Sequence, residues 1–542
     1  MKPAILAVLA LSLSAPALAA GPVVDAPAGK VRGMADGTVG VFKGIPYAQP
    51  PVGDLRWKPP VALPPWPGER AATDFGPACV QPQGGPPNIY TAAAKMPVSE
   101  DCLTLNIWRP AKAKKAPVFV WIHGGALVAG SSREPMYDGR RLAERGVVVV
   151  SINYRLGVLG WMAHPALSEE SADGVSGNYG LLDQVAALKW VRSNIAAFGG
   201  DPANVTIAGE SAGGLSVMYL MASPAARGLF DKAVAQSAYM ISTPELAKGA
   251  FGAPAAEDVG KFVAAGLQAP DLAGLRAIDP QELTDKAAKL GFAPFGTVDG
   301  KVLPRQLVDT FDAGEQAKVP ILAGFNQGEI RSLRVLAPKE PGSAEEYEKQ
   351  IREKYGDLAD AFLALYPAND YRESILATTR DALYGWTAER LVRSQTDAGQ
   401  PGYLYLFDHG YPAMDDARVH AFHGSELPYV FGTPARTTPR WPRIPDTVGE
   451  RGLSDAMIGY WTSFARGGVP TAKKAAAWHP YAQGGSFMWF RDVPTPSARL
   501  MPGMFLLNEQ VMCRKRATGS IGWNWNVGLA SPVLPPKSAA CE

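Results

Sequence analysis

Short apolar runs alternate with helix-like segments along most of the chain. Four runs are rich in β-branched residues and contain no charge: 104–108, 118–122, 147–152 and 205–208. This composition is typical of strands that are buried on both faces. Apolar residues recur at helical spacing over residues 178–198, and Gly-Gly-Asp-Pro at 199–202 ends this predicted helix. A second helix is predicted from Ala212 onward.

The order of these elements predicts an α/β fold. Further strands are predicted at 38–47, 231–236 and 319–325. Strands that alternate with helices form a mostly parallel central sheet with helices on both faces. Two helical segments punctuated by Pro and Gly, 242–304 and 342–393, are predicted to run over the sheet as long excursions rather than as separate domains. We therefore expect one α/β domain over residues 21–542.

The first twenty residues have the pattern of a secretory signal peptide. Lys2 supplies a positive charge, residues 4–13 form a short apolar region, and the small residues Ala17 and Ala19 mark a cleavage site. The apolar region is too short to span a bilayer. The pattern predicts cleavage after Ala19 or Ala20 and export of the mature chain, to a periplasm or to the medium.

The charge of the chain is nearly balanced. Of its 542 residues, 53 are Lys or Arg and 51 are Asp or Glu, which gives a net charge of +2. So small an excess argues against nucleic acid or a membrane as the main partner. We take a monomer as the default expectation.

The chain contains four cysteines, an even number that indicates disulfides in an exported protein. Local pairing, Cys79 with Cys102 and Cys513 with Cys541, is the simplest of the three connectivities that four cysteines allow. Each bridge would close a loop of about 25 residues and contribute about 3 kcal/mol in the chain-entropy model. None of the cysteines has the spacing of metal ligands, so we expect no metal site.

Residues 209–213, Gly-Glu-Ser-Ala-Gly, place one serine between two glycines. They follow the predicted strand at 205–208 and open the helix at Ala212, which is the context of a nucleophile elbow. The serine of an elbow projects from a sharp strand-to-helix turn, where the helix N-terminus favours a developing negative charge. We therefore predict that Ser211 is a nucleophile. A glycine-rich turn without chemistry is the alternative.

A candidate oxyanion turn, His123-Gly124-Gly125-Ala126, directly follows the predicted strand at 118–122. Small residues at such a position let backbone N–H groups point toward a tetrahedral intermediate. The alternative is a tight turn that only ends the strand. The presence of an elbow serine further along the chain favours the oxyanion hole.

A nucleophilic serine needs a base, and the chain has six histidines. His123 belongs to the candidate oxyanion turn and His164 precedes Ser211, whereas the base of this arrangement follows the serine and the acid. Four candidates remain: His409, His420, His423 and His479. His423, with Gly424 behind it, is the best loop candidate, but spacing alone leaves the choice open.

The acid that orients the histidine is predicted at Glu329. This residue comes just after the predicted strand at 319–325, at the carboxyl end, where functional groups of such sheets gather. The chain order is then Ser211, Glu329 and a later histidine. Glu210, next to the serine, is interpreted as a buried support of the site rather than as a participant in the chemistry.

With these motifs the chain resembles the type-B carboxylesterases, the family that includes cholinesterases and bacterial para-nitrobenzyl esterases. The resemblance covers about residues 37–508 and rests on separate blocks: FKGIPYAQPPVGDLRW, SEDCLTLNIW, WIHGGA, NYRLGVLGW, GNYGLLDQVAALKWVRSNIAAFGGDP, VTIAGESAGG, GFNQGE and FHGSELPYVFG. The chain departs from the usual pattern at Leu127, Ala238 and Ile330. These departures bear on the shape of the substrate pockets and leave the other motif residues in place.

The resemblance implies an α/β-hydrolase fold and a catalytic triad of Ser211, Glu329 and His423. The choice of His423 over His420 depends on this match of motifs and not on spacing.

The same resemblance assigns the oxyanion donors to the backbone N–H groups of Gly125, Ala126 and Ala212. It supports the pairing of Cys79 with Cys102, because the family joins a cysteine ahead of the SEDCL block to the one inside it. The pair Cys513–Cys541 lies outside the matched blocks and depends on compartment and number alone.

Together these expectations describe an exported serine carboxylesterase that needs neither cofactor nor metal and acts through an acyl-enzyme. Family members with specialised substrates make an aryl ester, or a polyester toxin of the fumonisin type, a candidate substrate. The alternative is a catalytically inactive, cholinesterase-like binding module, in which a triad member is lost. The presence of all three triad residues favours the enzyme.

Overall fold

The computed structural model describes residues 21–84, 86–92, 95–524 and 527–541. The predicted signal peptide, residues 1–20, lies outside the described residues. The strands of the described part are β1 (Val23–Ala26), β2 (Gly29–Arg32), β3 (Met34–Asp36), β4 (Val39–Pro46), β5 (Glu69–Ala71), β6 (Ala78–Cys79), β7 (Val98–Ser99), β8 (Thr104–Pro110), β9 (Ala116–Ile122), β10 (Val148–Ile152), β11 (Gly200–Glu210), β12 (Lys232–Gln236), β13 (Ile321–Asn326), β14 (Gly402–Phe407), β15 (Ser486–Phe490) and β16 (Pro494–Ala498).

Helices connect most of these strands. They are α1 (Arg140–Ala143), α2 (Gly157–Trp161), α3 (Pro165–Glu170), α4 (Tyr179–Asn194), α5 (Ala212–Ala222), α6 (Ala256–Gly266), α7 (Leu272–Ala277), α8 (Pro280–Lys289), α9 (Leu307–Asp312), α10 (Glu329–Ser332), α11 (Ala344–Tyr355), α12 (Ala359–Leu365), α13 (Tyr371–Arg380), α14 (Trp386–Asp397), α15 (Pro412–Asp416), α16 (Leu427–Phe431), α17 (Val448–Gly467) and α18 (Met504–Ala517).

Eleven strands form one large sheet, in the spatial order β16-β15-β14-β13-β12-β11-β9-β10-β8-β4-β3. Neighbouring strands from β10 across to β15 are all parallel. The pairs at the two ends of the sheet are antiparallel. The sheet is therefore mostly parallel, as predicted, and the carboxyl ends of β9, β11, β12 and β13 meet on one side of it.

Strand β9 shows why the central runs are apolar at every position. Val118, Val120 and Ile122 pack into one hydrophobic cluster with residues of α4, α5 and α14. Phe119 and Trp121 pack on the opposite face, in a cluster with residues of α16 and α17. All five side chains are fully buried. Because successive residues of a strand point to opposite faces, a strand covered on both faces loses the alternation of polar and apolar positions.

The predicted helix at 178–198 is divided in the structure. Its α-helical part, α4, ends at Asn194, and a 3-10 turn, Ile195–Phe198, continues to Gly199. Gly199 has a φ of +80°, a left-handed conformation that commonly ends helices and favours glycine. The following residue already pairs with Ala116 as the start of β11, so this strand begins earlier than predicted.

The second predicted excursion, 342–393, belongs only partly to the outer layer. Helices α11 and α12 form a small hydrophobic cluster of their own with the residues around them. Helix α14 instead packs against the central sheet, and its residues Ala388, Leu391 and Val392 join the main cluster. The spacing of these three residues places them on one face of the helix, which explains why this helix covers the sheet.

Both predicted disulfides are present. Cys79–Cys102 closes the loop that contains β7, and Cys513–Cys541 joins α18 to the last described residue. The helices within the described ranges include none long and apolar enough to cross a membrane.

Strand β16 forms one edge of the large sheet. It contains two prolines, Pro494 and Pro496, which lie opposite Phe490 and Met488 of β15. Proline has no N–H to donate and is tolerated in a sheet mainly at an edge. The position of β16 at the end of the strand order agrees with this composition.

A buried ion pair joins the segment after β10 to helix α4. Asp183 is fully buried, and Arg155 is 4% exposed. The Arg155 Nε and Nη2 donate to Asp183 Oδ2 and Oδ1 at 2.8 and 2.7 Å, and the Arg155 backbone N–H donates to Oδ2 at 3.0 Å. Such a pair is costly to break, because the remaining charge stays buried without its partner.

We therefore expect Asp183→Ala to lower the free energy of unfolding by about 3–5 kcal/mol. Denaturant unfolding followed by circular dichroism measures the change. The matched control is Glu282→Ala, which breaks an exposed pair with Lys286 on α8 and should change stability by less than about 0.5 kcal/mol. Equal effects of the two substitutions would contradict the importance of the buried pair.

Candidate active site

Ser211 lies on a sharp turn between β11 and α5. Its φ of +58° is in the left-handed region, which a non-glycine residue adopts under constraint. A Cβ on Gly209 would lie 2.4 Å from the carbonyl carbon of Gly213, and a Cβ on Gly213 would lie 2.1 Å from the Ile122 carbonyl oxygen. The chain can therefore turn this sharply only because both positions lack a side chain.

Backbone hydrogen bonds hold this turn. The Ser211 N–H donates to the Gln236 carbonyl of β12 at 2.9 Å, and the Leu215 N–H donates to the Ser211 carbonyl at 2.9 Å. Ser211 itself is partly exposed, whereas Ala212 is fully buried. The serine thus reaches solvent at the N-terminus of α5, where the helix dipole favours negative charge.

The turn after β9 packs directly against Ser211. A Cβ on Gly124 would lie 2.7 Å from the Glu210 carbonyl oxygen and 3.1 Å from the Ser211 Cβ. Gly125 and Ala126 have positive φ angles of +106° and +56°. Among the described residues, neither of their N–H groups has a hydrogen-bond acceptor. Available donors beside a serine are what the stabilisation of an oxyanion requires.

The side chain of His123 helps to hold the shape of this turn. Burial lowers its pKa to about 4, so the ring is neutral. Its Nδ1 lies 2.8 Å from the Gly124 carbonyl oxygen, which can only accept a hydrogen bond. The ring stacks on Tyr154, whose hydroxyl donates to the His123 carbonyl at 2.8 Å. These contacts shape the turn and leave His123 unsuited to act as the base.

Glu329 is the first residue of α10, a short helix that follows β13. Its side chain is fully buried. Oε1 accepts a hydrogen bond from the Asn326 N–H at 2.8 Å, and Oε2 is in hydrogen-bond contact with Nδ1 of His423. Both oxygens of the predicted acid therefore have a partner, and one partner is the predicted base.

His423 lies in the segment between β14 and α16. The Gly328 N–H donates to the Ala421 carbonyl at 2.9 Å, and the Asn326 side-chain amide donates to the Phe422 carbonyl at 2.8 Å. The two residues before His423 are thus fixed to the end of β13. This attachment brings the base to the acid, although they come from different parts of the chain.

The other candidate histidines lie elsewhere. His420 Nε2 is 2.9 Å from Asp408 Oδ1, His409 lies between two other carboxylates, and His479 is exposed. The geometry therefore pairs the predicted acid with His423. In the described part of the chain, no group of three or more His, Cys, Asp or Glu residues is arranged to hold a metal ion.

Glu210 occupies the position next to the free nitrogen of the histidine. Its Oε1 lies 3.1 Å from His423 Nε2. Among the described residues, the Ser211 hydroxyl makes no hydrogen bond to His423. Catalytic hydrogen bonds are often long or misaligned before substrate binds and tighten in the complex. Glu210 is buried and contacts the predicted base directly.

Residues 20–497 match the model of the carboxylesterase family. The chain belongs to this family. It is 38% identical over 481 residues to a fumonisin B1 esterase of Sphingopyxis macrogoltabida, a match that covers 85% of each chain. It is 36% identical over 472 residues to the para-nitrobenzyl esterase of Bacillus subtilis, covering 85% of this chain and 92% of that protein.

Solved structures of carboxylesterases agree with the fold. A para-nitrobenzyl esterase aligns with a TM-score of 0.75 at 33% identity, over 88% of this chain and 97% of that chain. A carboxylesterase of Geobacillus stearothermophilus aligns with a TM-score of 0.75 at 33% identity, over 92% of this chain and 99% of that chain. The expected α/β-hydrolase fold is confirmed, and this carboxylesterase is a hydrolase of carboxylic esters.

Sequence reasoning missed the polar residues that surround the acid and the base. Glu426, fully buried, accepts hydrogen bonds from Gln236 Nε2 at 2.9 Å and from Asn326 Nδ2 at 2.6 Å. Tyr90 donates to the His423 carbonyl at 2.9 Å. Glu426 follows His423 by three positions, in the FHGSELPYVFG block, but no local pattern distinguishes a buried glutamate from an exposed one.

The carboxylates control the protonation of the site. Burial raises the pKa of Glu210 above its ordinary range, although the charge of His423 opposes this shift. Burial alone would lower the pKa of His423, but the negative charges of Glu210 and Glu329 outweigh it and raise this pKa.

The pH profile of this carboxylesterase should therefore depend on Glu210. If His423 is the base, it must be neutral to accept a proton, and activity is then lost as pH falls through its raised pKa. Glu210→Gln removes one charge that stabilises the imidazolium, and we expect the acid limb of the kcat/KM profile to move down by about 1–3 pH units. Glu346→Gln, at the surface, is the control. An unmoved acid limb would show that Glu210 does not set the pKa of His423.

Proposed function

We propose that the protein is an exported serine carboxylesterase in which Ser211 is the nucleophile, His423 the base and Glu329 the acid. The observation that carries the proposal is the contact between Glu329 and His423 close to the strained Ser211 turn. Glu210 contacts His423 and is adjacent to Ser211 in the chain, which supports the proximity of His423 to Ser211. The two disulfides support export, because disulfides persist in oxidising compartments.

In the first half of the proposed reaction, Ser211 Oγ attacks the ester carbonyl carbon while His423 Nε2 takes the hydroxyl proton. Glu329 holds Nδ1–H and stabilises the imidazolium that forms. The N–H groups of Gly125, Ala126 and Ala212 stabilise the negative charge that develops on the carbonyl oxygen. The carbon–oxygen bond to the alcohol then breaks, and the alcohol leaves with the proton from Nε2.

In the second half, water attacks the acyl carbon of the ester formed on Ser211. His423 Nε2 removes a proton from this water and then returns it to Ser211 Oγ as the acyl–serine bond breaks. The carboxylic acid leaves and the serine is restored. Glu210 bears on both halves, because its carboxylate lies 3.1 Å from the nitrogen that accepts and returns the proton.

Ser211→Ala tests the nucleophile. We expect kcat on para-nitrophenyl esters to fall by about 10⁴- to 10⁶-fold, because the attacking oxygen is lost. A fluorophosphonate probe should label the wild-type protein and leave the variant unlabelled, with unchanged circular dichroism. Ser193→Ala, on the exposed side of α4, is the matched control and should behave as wild type.

Near-wild-type turnover in Ser211→Ala would overturn the proposed triad. A folded wild-type protein that neither hydrolyses esters nor reacts with the probe would instead favour the inactive binding module. These two outcomes are distinct, since the first retains activity and the second has none to lose.

For the substrate, we propose a specialised ester of one of two kinds: an aryl ester or a polyester of the fumonisin type. The support comes from the relatives, one described as a fumonisin B1 esterase and another as a para-nitrobenzyl esterase. These relatives are 38% and 36% identical to this chain, a difference too small to favour one kind of ester over the other.

A substrate series distinguishes the two kinds. We expect kcat/KM for fumonisin B1 or for para-nitrobenzyl esters to exceed that for simple ethyl esters of matched acyl length by about tenfold or more, the scale of a few well-placed contacts. Product analysis by mass spectrometry identifies the bond that is cut. Equal kcat/KM across the series would contradict specialisation and leave a general carboxylesterase.

A further inference from the structure

The hydroxyl of Tyr90 joins the main chain of the predicted base to the helix of the predicted acid. Tyr90 Oη lies 2.9 Å from the His423 carbonyl oxygen and 2.7 Å from Ser332 Oγ. Ser332 is the last residue of α10, and Glu329 is the first. A single phenol therefore contacts the two short segments that carry Glu329 and His423.

The chemistry of these groups fixes the direction of both hydrogen bonds. The His423 carbonyl can only accept, so the one proton of the phenol is donated to it. The Ser332 hydroxyl must then donate its own proton to the phenol oxygen. The result is a chain of two hydrogen bonds, from Ser332 to Tyr90 and from Tyr90 to His423, in which neighbouring bonds polarise each other.

Tyr90 itself is held by its surroundings. Its ring packs edge-on against Trp441 at 6.3 Å and lies 6.5 Å from Phe422. Its backbone N–H donates to Asn88 Oδ1 at 2.9 Å, and the neighbouring Ile89 carbonyl accepts a hydrogen bond from Thr438. The phenol is thus placed by ring contacts and by a fixed local turn.

The segment that carries Tyr90 is closed by the disulfide Cys79–Cys102. This segment contributes no residue to the proposed triad or oxyanion hole. Burial and the nearby carboxylates raise the pKa of Tyr90 well above its ordinary value, so the phenol keeps its proton at working pH. Tyr90 can therefore donate to His423 throughout the range in which the enzyme acts.

We propose that Tyr90 is a positioning residue, through which the disulfide-closed segment 79–102 holds His423 in register with Glu329. The proposal rests on the proposed function, since positioning matters only if His423 is the base. Asn326 and Gly328 fix the residues before His423, and Tyr90 fixes the carbonyl of His423 itself. A small displacement of a catalytic group has a large effect, about 100-fold in rate for about 1 Å.

Tyr90→Phe removes the hydroxyl and keeps the ring. We expect kcat to fall by about 5- to 50-fold, with KM changed by less than about twofold, because the loss affects chemistry rather than binding. Tyr411→Phe is the matched control. It removes a phenol that also donates to a backbone carbonyl, that of Pro442, at 2.8 Å, and should leave kcat unchanged.

A fall in kcat that is the same in both variants would show a general loss of stability and overturn the proposal. A change confined to KM would also overturn it, by making Tyr90 a substrate contact. Ser332→Ala provides a second measurement and should lower kcat less than Tyr90→Phe, because the bond to His423 remains.

The role of the disulfide is tested by a double-mutant cycle. The cycle combines removal of the disulfide, Cys79→Ser/Cys102→Ser, with Tyr90→Phe. If the segment acts through Tyr90, the combined variant should lose no more kcat than the more severe of the two changes alone. Multiplicative losses would overturn this part of the proposal. Cys513→Ser/Cys541→Ser removes the other disulfide and should leave kcat unchanged.

A readout that does not depend on turnover separates this proposal from the proposed function. In protein with labelled histidines, the Nδ1 proton of His423 is assigned by comparison with His423→Gln. Tyr90→Phe should speed its exchange with solvent, and Tyr411→Phe should not. If the wild-type protein has no esterase activity but Tyr90→Phe still speeds the exchange, the proposed function is refuted and the positioning by Tyr90 stands. Unchanged exchange and kcat in an active enzyme would refute only the positioning.

Discussion

Close contact between two neighbouring strand ends is the constraint on which the site depends. Strands β9 and β11 are parallel neighbours, so the turns that follow them must share the same space. Gly124 lies against the Glu210 carbonyl, and Gly213 lies against that of Ile122. With side chains at these glycines the turns would separate, and the serine would move away from the N–H groups of Gly125 and its neighbour. The strain at Ser211, of the order of 1–3 kcal/mol, is maintained because the sheet holds both strands in register.

The polar groups around the predicted acid and base are concentrated at the carboxyl ends of the parallel strands. Three adjacent parallel strands, β11, β12 and β13, end in Glu210, Gln236 and Asn326. Each of these side chains bonds or contacts a residue of the segment 423–426 that carries the histidine. The amides supply donors to a buried carboxylate, which would otherwise be costly to bury. The ends of the sheet thus both position the histidine and determine its charge.

The central strands and the candidate nucleophile could be predicted from the sequence, because their signals are local. An apolar run such as 118–122 and a serine between two glycines are each visible within about ten residues. The choice of His423 over His420 needed the family resemblance, since both lie in one segment and spacing does not separate them. In the structure the distinction comes from the carboxylate that each ring contacts, because His423 contacts the distant Glu329 and His420 contacts Asp408.

Contacts between distant segments also explain what was not predicted. Tyr90 and His423 are 333 positions apart, and no periodicity relates residues at such a distance. The burial of Glu426 was not predicted for the same reason, because its hydrogen-bond donors belong to strands that lie 190 and 100 positions earlier in the chain. The helical pattern of residues 342–393 does not show that helix α14 covers the sheet, because an apolar stripe can pack against the outer layer or against the sheet, and only the fold selects between them.

The two prolines of β16 also affect how the molecule meets its neighbours. A large sheet with an open edge can recruit a strand from another molecule, which leads to aggregation or to a continuous sheet between copies. Pro494 and Pro496 pair with β15, and a proline on an edge strand is tolerated where its nitrogen faces away from the sheet. A foreign strand arriving at this edge meets two positions without a donor. The edge of the sheet where new strands would otherwise add is thereby protected.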